Sequence, residues 1–283
     1  MRILTPSTAA AAGITRSQLQ GPRFRRVLQG IYVDADVAPT LPVLVAAARV
    51  AVPHSVVTGV TALRLRGASI GTDSPIWLAT DHRVKRAGIL TVPGLPPNDR
   101  RGPSDEAVAP LVRALEHADL RLVDEVVTLD ELRRKETLTR QDAQDLAAMR
   151  PHTWQWSVLN SGSVRESRTR MVLVTAGLPE PQLQFVVRTP DGRRVGRVDC
   201  AWPEYMVVLE YEGLQHLTDT SQWDSDIRRY ESLERLGWTV VRVTSGGLRE
   251  PAVLVRRVEE ALRAGGWRGR APHLGAAWLA DVA

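Results

Sequence analysis

Asp199, Glu210 and Glu212 carry the most distinctive chemistry in the chain. They fall in the stretch Arg197 to Gly213, RVDCAWPEYMVVLEYEG, where two strand-forming runs, Val195 to Ala201 and Tyr205 to Glu212, flank a Trp202-Pro203-Glu204 turn. That pattern predicts a β-hairpin. A tight turn sets Asp199 opposite Glu210, with Cβ atoms about 4.5–5.5 Å apart. Alternation along the strand puts Glu212 on the side of Glu210 and sends Val207, Leu209 and Tyr211 into a core. Like charges this close raise one another's pKa values unless a divalent cation offsets them, and an all-oxygen donor set suits Mg²⁺ or Mn²⁺. Asp199, Glu210 and Glu212 are therefore the candidate metal ligands. The alternative is a charged hairpin facing solvent, for which Arg197 alone is a poor counterion to three acids.

Further candidates surround this group. His216 lies just past the second strand; with a free pKa near ~6.5 it either activates water or protonates a leaving oxygen, or it is an ordinary hydrogen-bonding loop residue. Asp226 and Arg229 are three residues apart and share a helix face. Either they pair with each other, or Arg229 reaches a scissile phosphate while Asp226 orients it. Trp202, Trp223 and Trp238 read as core residues.

The elements that must position these groups follow from length and pattern. A chain of 283 residues exceeds one typical domain and predicts two compact units with a helical connector. Net charge is +5, from 37 Lys+Arg against 32 Asp+Glu, and lysine occurs only at Lys85 and Lys135. Arginine suits bidentate contact with phosphate, so DNA is a candidate partner, although codon composition produces the same bias. The lone Cys200 excludes an internal disulfide, and no CxxC or Cys/His array suggests zinc. No apolar run approaches the ~20 residues of a membrane span, and the N-terminus has no signal-peptide pattern. These features predict a soluble, cytoplasmic protein with no membrane association.

Along the chain, a short helical run follows Thr5-Pro6-Ser7, Thr15 caps a second helix, and two strands flank Gln29-Gly30, bearing Arg23, Arg25 and Arg26. Helices are predicted over Leu41 to Ala51 and Thr58 to Arg66, then a strand from Trp77 to Thr80 and a Pro/Gly/Asn-rich connector from Pro93 to Pro103. Three helices follow, Ser104 to His117, Leu120 to Lys135 and Thr139 to Met149, with no reaction centre among them. A second unit starts near Pro151. It reads as a helix from Glu166 to Ala176 stopped by Gly177, a strand from Leu183 to Arg188, the hairpin, a helix from Trp223 to Leu236 and a strand from Trp238 to Val243. Because a helix separates it from the strand ending at Glu212, this last strand is expected to run parallel to that one. A helix over Leu248 to Ala264 and a Gly/Ala-rich tail close the chain. The expected fold class is α+β or α/β, with boundaries at 1–90, 91–150 (connector), 151–268 and 269–283 (tail).

Two resemblances sharpen this. The first thirty-odd residues, two helices and an arginine-rich strand before Gly30-Ile31-Tyr32, resemble the winged-helix N-terminal domain of antitoxins of type IV toxin–antitoxin systems. The order helix, three-strand meander, helix, strand, with an Asp on the second strand and Glu-x-acid on the third, resembles the αβββαβ core of the PD-(D/E)xK nucleases, the restriction-endonuclease-like fold. Residues Glu166 to Val243 look like the bacterial domain related to very-short-patch repair endonucleases. The matching residues are Asp199 before Trp202-Pro203, then Glu210-Tyr211-Glu212-Gly213-Leu214-Gln215-His216, then Asp226, Arg229, Leu233, Gly237, Trp238 and Arg242. The resemblance implies a Mg²⁺- or Mn²⁺-dependent DNA endonuclease, in repair or defence. Asp199 and Glu210 would be metal ligands, Glu166 would support the metal, and Arg229 and Arg197 would lie on phosphate with Arg23, Arg25 and Arg26 as further DNA contacts. Glu212 stands where the general pattern has lysine: either it is a further ligand or base, or chemistry has been lost. In the latter case the protein is a catalytically inactive nuclease-fold DNA-binding regulator or antitoxin-like partner.

Overall fold

The computed structural model describes residues 1–94, 108–212, 220–244 and 246–282; within these, the side chains of Glu212 and of 220–227 are not described. The chain is a mixed α and β protein that divides into two compact units, Met1–Leu120 with Thr137–Pro151, and Arg121–Glu136 with His152–Ala283. No helix among the described residues is long and apolar enough to cross a membrane.

The first unit begins with strand β1 (Ile3–Leu4) and two short helices, α1 (Pro6–Ala11) and α2 (Arg16–Leu19). Thr5 and Thr15 each close a reciprocal capping box, with Thr8 and Gln18 respectively, which is why helices this short form. Strands β2 (Phe24–Leu28) and β3 (Ile31–Asp34) form a hairpin, and the sheet order is β1-β3-β2. Helix α3 (Leu41–Ala51), strand β4 (Val56–Val57), helix α4 (Gly59–Leu65) and strands β5 (Ile76–Thr80) and β6 (Ile89–Pro93) follow. β5 pairs antiparallel with β4 and parallel with β6, a second sheet of which the sequence pattern revealed only β5. Helix α5 (Leu111–Ala118) starts well after the expected Ser104, whose surroundings, 95–107, lie outside the described residues. Pro110 disfavours helix at Ala109, whose amide instead bonds the Val57 carbonyl at 2.8 Å.

Helix α6 (Leu122–Arg134) belongs to the second unit, whereas α7 (Arg140–Met149) returns to the first. The expected 91–150 connector is thus not a body of its own. Its middle helix buries Val123, Val126 and Val127 in the core of the second unit, so it goes where its apolar surface is covered.

After the short helix α8 (Pro151–Trp154), the second unit continues with α9 (Val164–Thr175), β7 (Gln182–Arg188), β8 (Arg194–Trp202), β9 (Val207–Glu212), α10 (Thr220–Arg235), β10 (Thr239–Thr244), α11 (Pro251–Ala264) and α12 (Ala276–Val282). Gly177, at φ 98°, ends α9 as a glycine past a helix C-terminus does. Strand order is β10-β9-β8-β7, with β7, β8 and β9 an antiparallel meander and β10 parallel to β9. One sheet face packs Cys200, Trp202, Val207 and Leu209 against α6, α9, α11 and α12; the other packs Val198, Ala201 and Val208 against Leu233 of α10. The segment expected as a tail therefore closes the core. Trp278 and Val282 are buried, and the Trp278 indole donates to Thr175 Oγ1 at 3.1 Å. Apolar residues four apart on a short helix need a partner, and the α6, α11 surface supplies it.

Candidate active site

The hairpin forms as its strand pattern requires, with a 3₁₀ turn over Pro203–Tyr205. Cys200 faces Leu209, Ala201 faces Val208 and Trp202 faces Val207. One further step in that register brings Asp199 opposite Glu210, but there the ladder stops, and the Tyr211 amide donates to Asp199 Oδ2 at 2.8 Å. On its other side β8 pairs with β7 through Phe185 with Val198 and Leu183 with Cys200, stepping over Gln184 and Asp199. Phe185 and Val198 pack into the core under α10, Leu183 and Cys200 into the opposite core. Both strands thus exchange faces at this one step, and Gln184 makes the twist at φ 52°.

That exchange takes Asp199 off the expected face beside Glu210; the third acid, Glu212, has its side chain outside the described residues. Regular alternation would keep Asp199 beside Ala201 and Glu210. At the crossover its carboxylate lies in line with the ladder, on the Tyr211 amide, within electrostatic reach of both Glu166 and Arg229. Glu166 is the third residue of α9, whose cap Ser163 accepts the Glu166 amide at 3.1 Å. Its buried carboxylate, through Oε2, accepts from the Gly162 amide at 2.9 Å and from Gln184 Nε2 at 2.6 Å. Burial, and then the negative charge of Asp199, push the Glu166 pKa up, against hydrogen bonds from Gly162, Ser163 and Gln184 that pull it down. Burial likewise raises Asp199, opposed by the Tyr211 amide, by Arg229 and Arg197, and by the nearby Gln184 amide.

Glu210 is buried and faces α10, where Arg229 forms an ion pair with it. Arg229 also donates to the Arg197 carbonyl at 3.5 Å, and its guanidinium lies 4.8 Å from the Tyr230 ring centre, with Arg242 at 5.2 Å from the same ring. An ion-pair partner of Arg229 among the described side chains is thus the Glu210 carboxylate on β9. The side chains of Glu212, Trp223 and Asp226 lie outside the described part, as does His216 altogether. Arg197 is exposed beside this group. In the first unit Arg23, Arg25 and Arg26 are all exposed; Arg23 rests 5.4 Å from the Phe24 ring centre and Arg25 donates to the Val37 carbonyl at 3.3 Å.

The segment before α9 is held from below. Fully buried Arg170 bonds the Trp156 carbonyl, Asp130 and Glu180; Asp130 accepts the Val158 amide at 2.7 Å; Arg133 donates to the Ser157 carbonyl at 2.7 Å; and Ser167 bonds Ser161 at 2.7 Å. This clamp sets where Gly162 meets Glu166. Sequence reasoning missed Gly162, Gln184, Arg170 and Asp130. The Ser163-x-x-Glu166 spacing is a readable cap signal, whereas nothing in the alternation of β7 marks Gln184.

Known proteins similar to this chain add little about its chemistry. Two uncharacterized proteins of Mycobacterium tuberculosis, from strains CDC 1551 / Oshkosh and H37Rv, are each 35% identical to the chain over 101 residues, which is 35% of this chain and 37% of theirs. The chain thus matches well under half the length of these relatives. No family model and no solved structure matches it.

Among the described residues no group of three His, Cys, Asp or Glu side chains is ready-made for a metal. The donors present are nevertheless of the right kind. Glu166 and Asp199 are hard oxygen donors whose charges oppose each other, and backbone approaches them where no side chain fits: a Cβ on Gly162 would lie 2.7 Å from Glu166 Oε2 and 2.8 Å from Oε1. Such a pair fits Mg²⁺ or Mn²⁺ in type and charge, with Glu210 engaged by Arg229 nearby.

Proposed function

We propose that the chain is a Mg²⁺- or Mn²⁺-dependent DNA endonuclease of the PD-(D/E)xK kind, acting in the cytoplasm, with its second unit as the restriction-endonuclease-like domain and the start of its first unit as a winged-helix-like DNA-binding module. The observation that carries the reading is the break in the β8–β9 ladder at Asp199, whose carboxylate takes the Tyr211 amide within electrostatic reach of the buried Glu166 and of Arg229 and Arg197. Burial pushes the pKa of both carboxylates up, and groups of that kind concentrate at functional sites. The element order α9, β7-β8-β9 meander, α10, parallel β10 agrees with it.

In this reading Asp199 and Glu166 hold the cation, with Glu210 and Glu212 as the neighbouring acids of the same hairpin. A divalent cation there supplies polarisation of a phosphoryl oxygen and a lowered pKa for an attacking water. Arg229 and Arg197 orient the phosphate, and the Tyr230 ring keeps the Arg229 guanidinium in place. His216 and Glu212 are the residues assigned to moving the proton, and Asp226 to orienting Arg229. Arg23, Arg25 and Arg26 bind DNA phosphates away from the reaction.

One observation favours a second reading. Arg229 already neutralises Glu210, as it would in a nuclease fold retained for DNA binding alone, a regulator or antitoxin-like protein. Purified protein incubated with supercoiled, single-stranded, mismatched and branched DNA, with and without Mg²⁺ or Mn²⁺, separates the two. The nuclease reading expects metal-dependent cleavage that Asp199→Asn and Glu166→Gln abolish in folded protein. Cleavage that persists in EDTA, or binding without cleavage on every substrate, refutes it.

A further inference from the structure

Gln184 occupies the middle of β7 at φ 52°, a conformation that glycine adopts readily and that is unfavourable for a residue with a Cβ. Backbone geometry alone would therefore select glycine, and what the side chain contributes is a hydrogen bond to a buried carboxylate. Nε2 donates to Glu166 Oε2 at 2.6 Å, and the same amide helps hold the Asp199 pKa down. One neutral side chain on β7 thus fixes the carboxylate that α9 presents beside β8. It is packed tightly there, since a Cβ on Gly162 would lie 2.7 Å from Gln184 Nε2.

We propose that Gln184 is a positioning residue for the divalent cation of this site, its Nε2–H holding the Glu166 carboxylate in the arrangement that the cation needs beside Asp199. The inference rests on the metal-dependent reading above. A carboxylate has about four lone-pair positions, so oxygens that accept from an amide retain positions for a metal. Hydrogen bonds to ligating carboxylates restrict their rotation, and their loss typically costs about 10–100-fold in metal affinity.

The test measures Mn²⁺ binding to the purified full chain by calorimetry and by electron paramagnetic resonance for wild type, Gln184→Met and Gln184→Gly. Gln184→Met removes the donors at similar length. Gln184→Gly removes them while relieving the backbone, which keeps a folded variant available. Both should bind Mn²⁺ about 10–100-fold more weakly, with the metal-free melting temperature of Gln184→Gly close to that of wild type. At saturating Mn²⁺ they should recover DNA cleavage with unchanged KM. Wild-type Mn²⁺ affinity in folded Gln184→Gly assigns the amide a purely structural role and overturns the inference, leaving the nuclease reading standing. Absence of Mn²⁺ binding to the wild type overturns both.

Discussion

Replacing Glu166 by glutamine should make the protein more stable and, under the proposed function, inactive. The amide oxygen of the replacement can still accept from Gly162 and Gln184, the partners of Oε2 at 2.9 and 2.6 Å. Those bonds weaken, because hydrogen bonds to a charged group contribute about 1.5–3 kcal/mol and neutral ones about 0.5–1.5. Against that loss, the burial penalty of the charge and its repulsion by Asp199 disappear. The raised pKa of Glu166 says that the second set of effects outweighs the first. A net gain of about 0.5–2 kcal/mol is expected, the usual scale for relieving a functional site. In a unit of about 150 residues this corresponds to a melting temperature higher by roughly 2–6 °C. The pH dependence has a definite sign. A carboxyl whose folded pKa is raised destabilises the fold when ionised, and that penalty fades as pH falls through the folded pKa toward the unfolded value. Thermal unfolding of the metal-free proteins should show the advantage of Glu166→Gln at pH 7.5 and its decline toward pH 4. A variant less stable than wild type at pH 7.5, or an advantage that grows on acidification, refutes the reasoning.

Other outcomes follow from burial and charge. Arg170→Met strands the fully buried Asp130 carboxylate and should cost about 3–5 kcal/mol in urea unfolding. Adding Asp130→Asn, which keeps an oxygen for the Val158 amide, should restore part of that loss, and an uncoupled pair would count against the clamp. Trp278→Ala should cost about 3–5 kcal/mol; a cost under about 1 kcal/mol would mean that α12 is only loosely attached. Replacing Arg23, Arg25 and Arg26 together with serine should flatten the salt dependence of duplex binding by about 0.9 logarithmic units for each phosphate that is no longer neutralised. An unchanged slope removes these arginines from the DNA-binding surface.

The local pattern determined much of the second unit. Alternation and the Trp202-Pro203 turn specify the hairpin, Gly177 specifies the end of α9, and a helix between Glu212 and Trp238 makes β10 parallel to β9. These are short-range rules, set by which residues tolerate which backbone angles. The same rules located Thr15 as a cap and the strand around Trp77, but not β4, which is two residues long, or β6, which is split by Thr91 and ends in Pro93. Tertiary structure decided the rest, because it depended on what covers what. Helix α6 leaves its sequence neighbours for the sheet core, α12 supplies a wall that composition disguised as a tail, and Arg170 is buried although Arg165 and Arg168 of the same helix are exposed and partly exposed. The site itself turned on one residue. Alternation correctly assigned Val207 and Leu209 to the core, but beside the twist at Gln184 the ladder stops and the Asp199 carboxylate takes the Tyr211 amide, within electrostatic reach of Glu166. A left-handed residue inside a strand has no signature in residue type unless it is glycine, so only the three-dimensional competition among buried carboxylates for donors could reveal it.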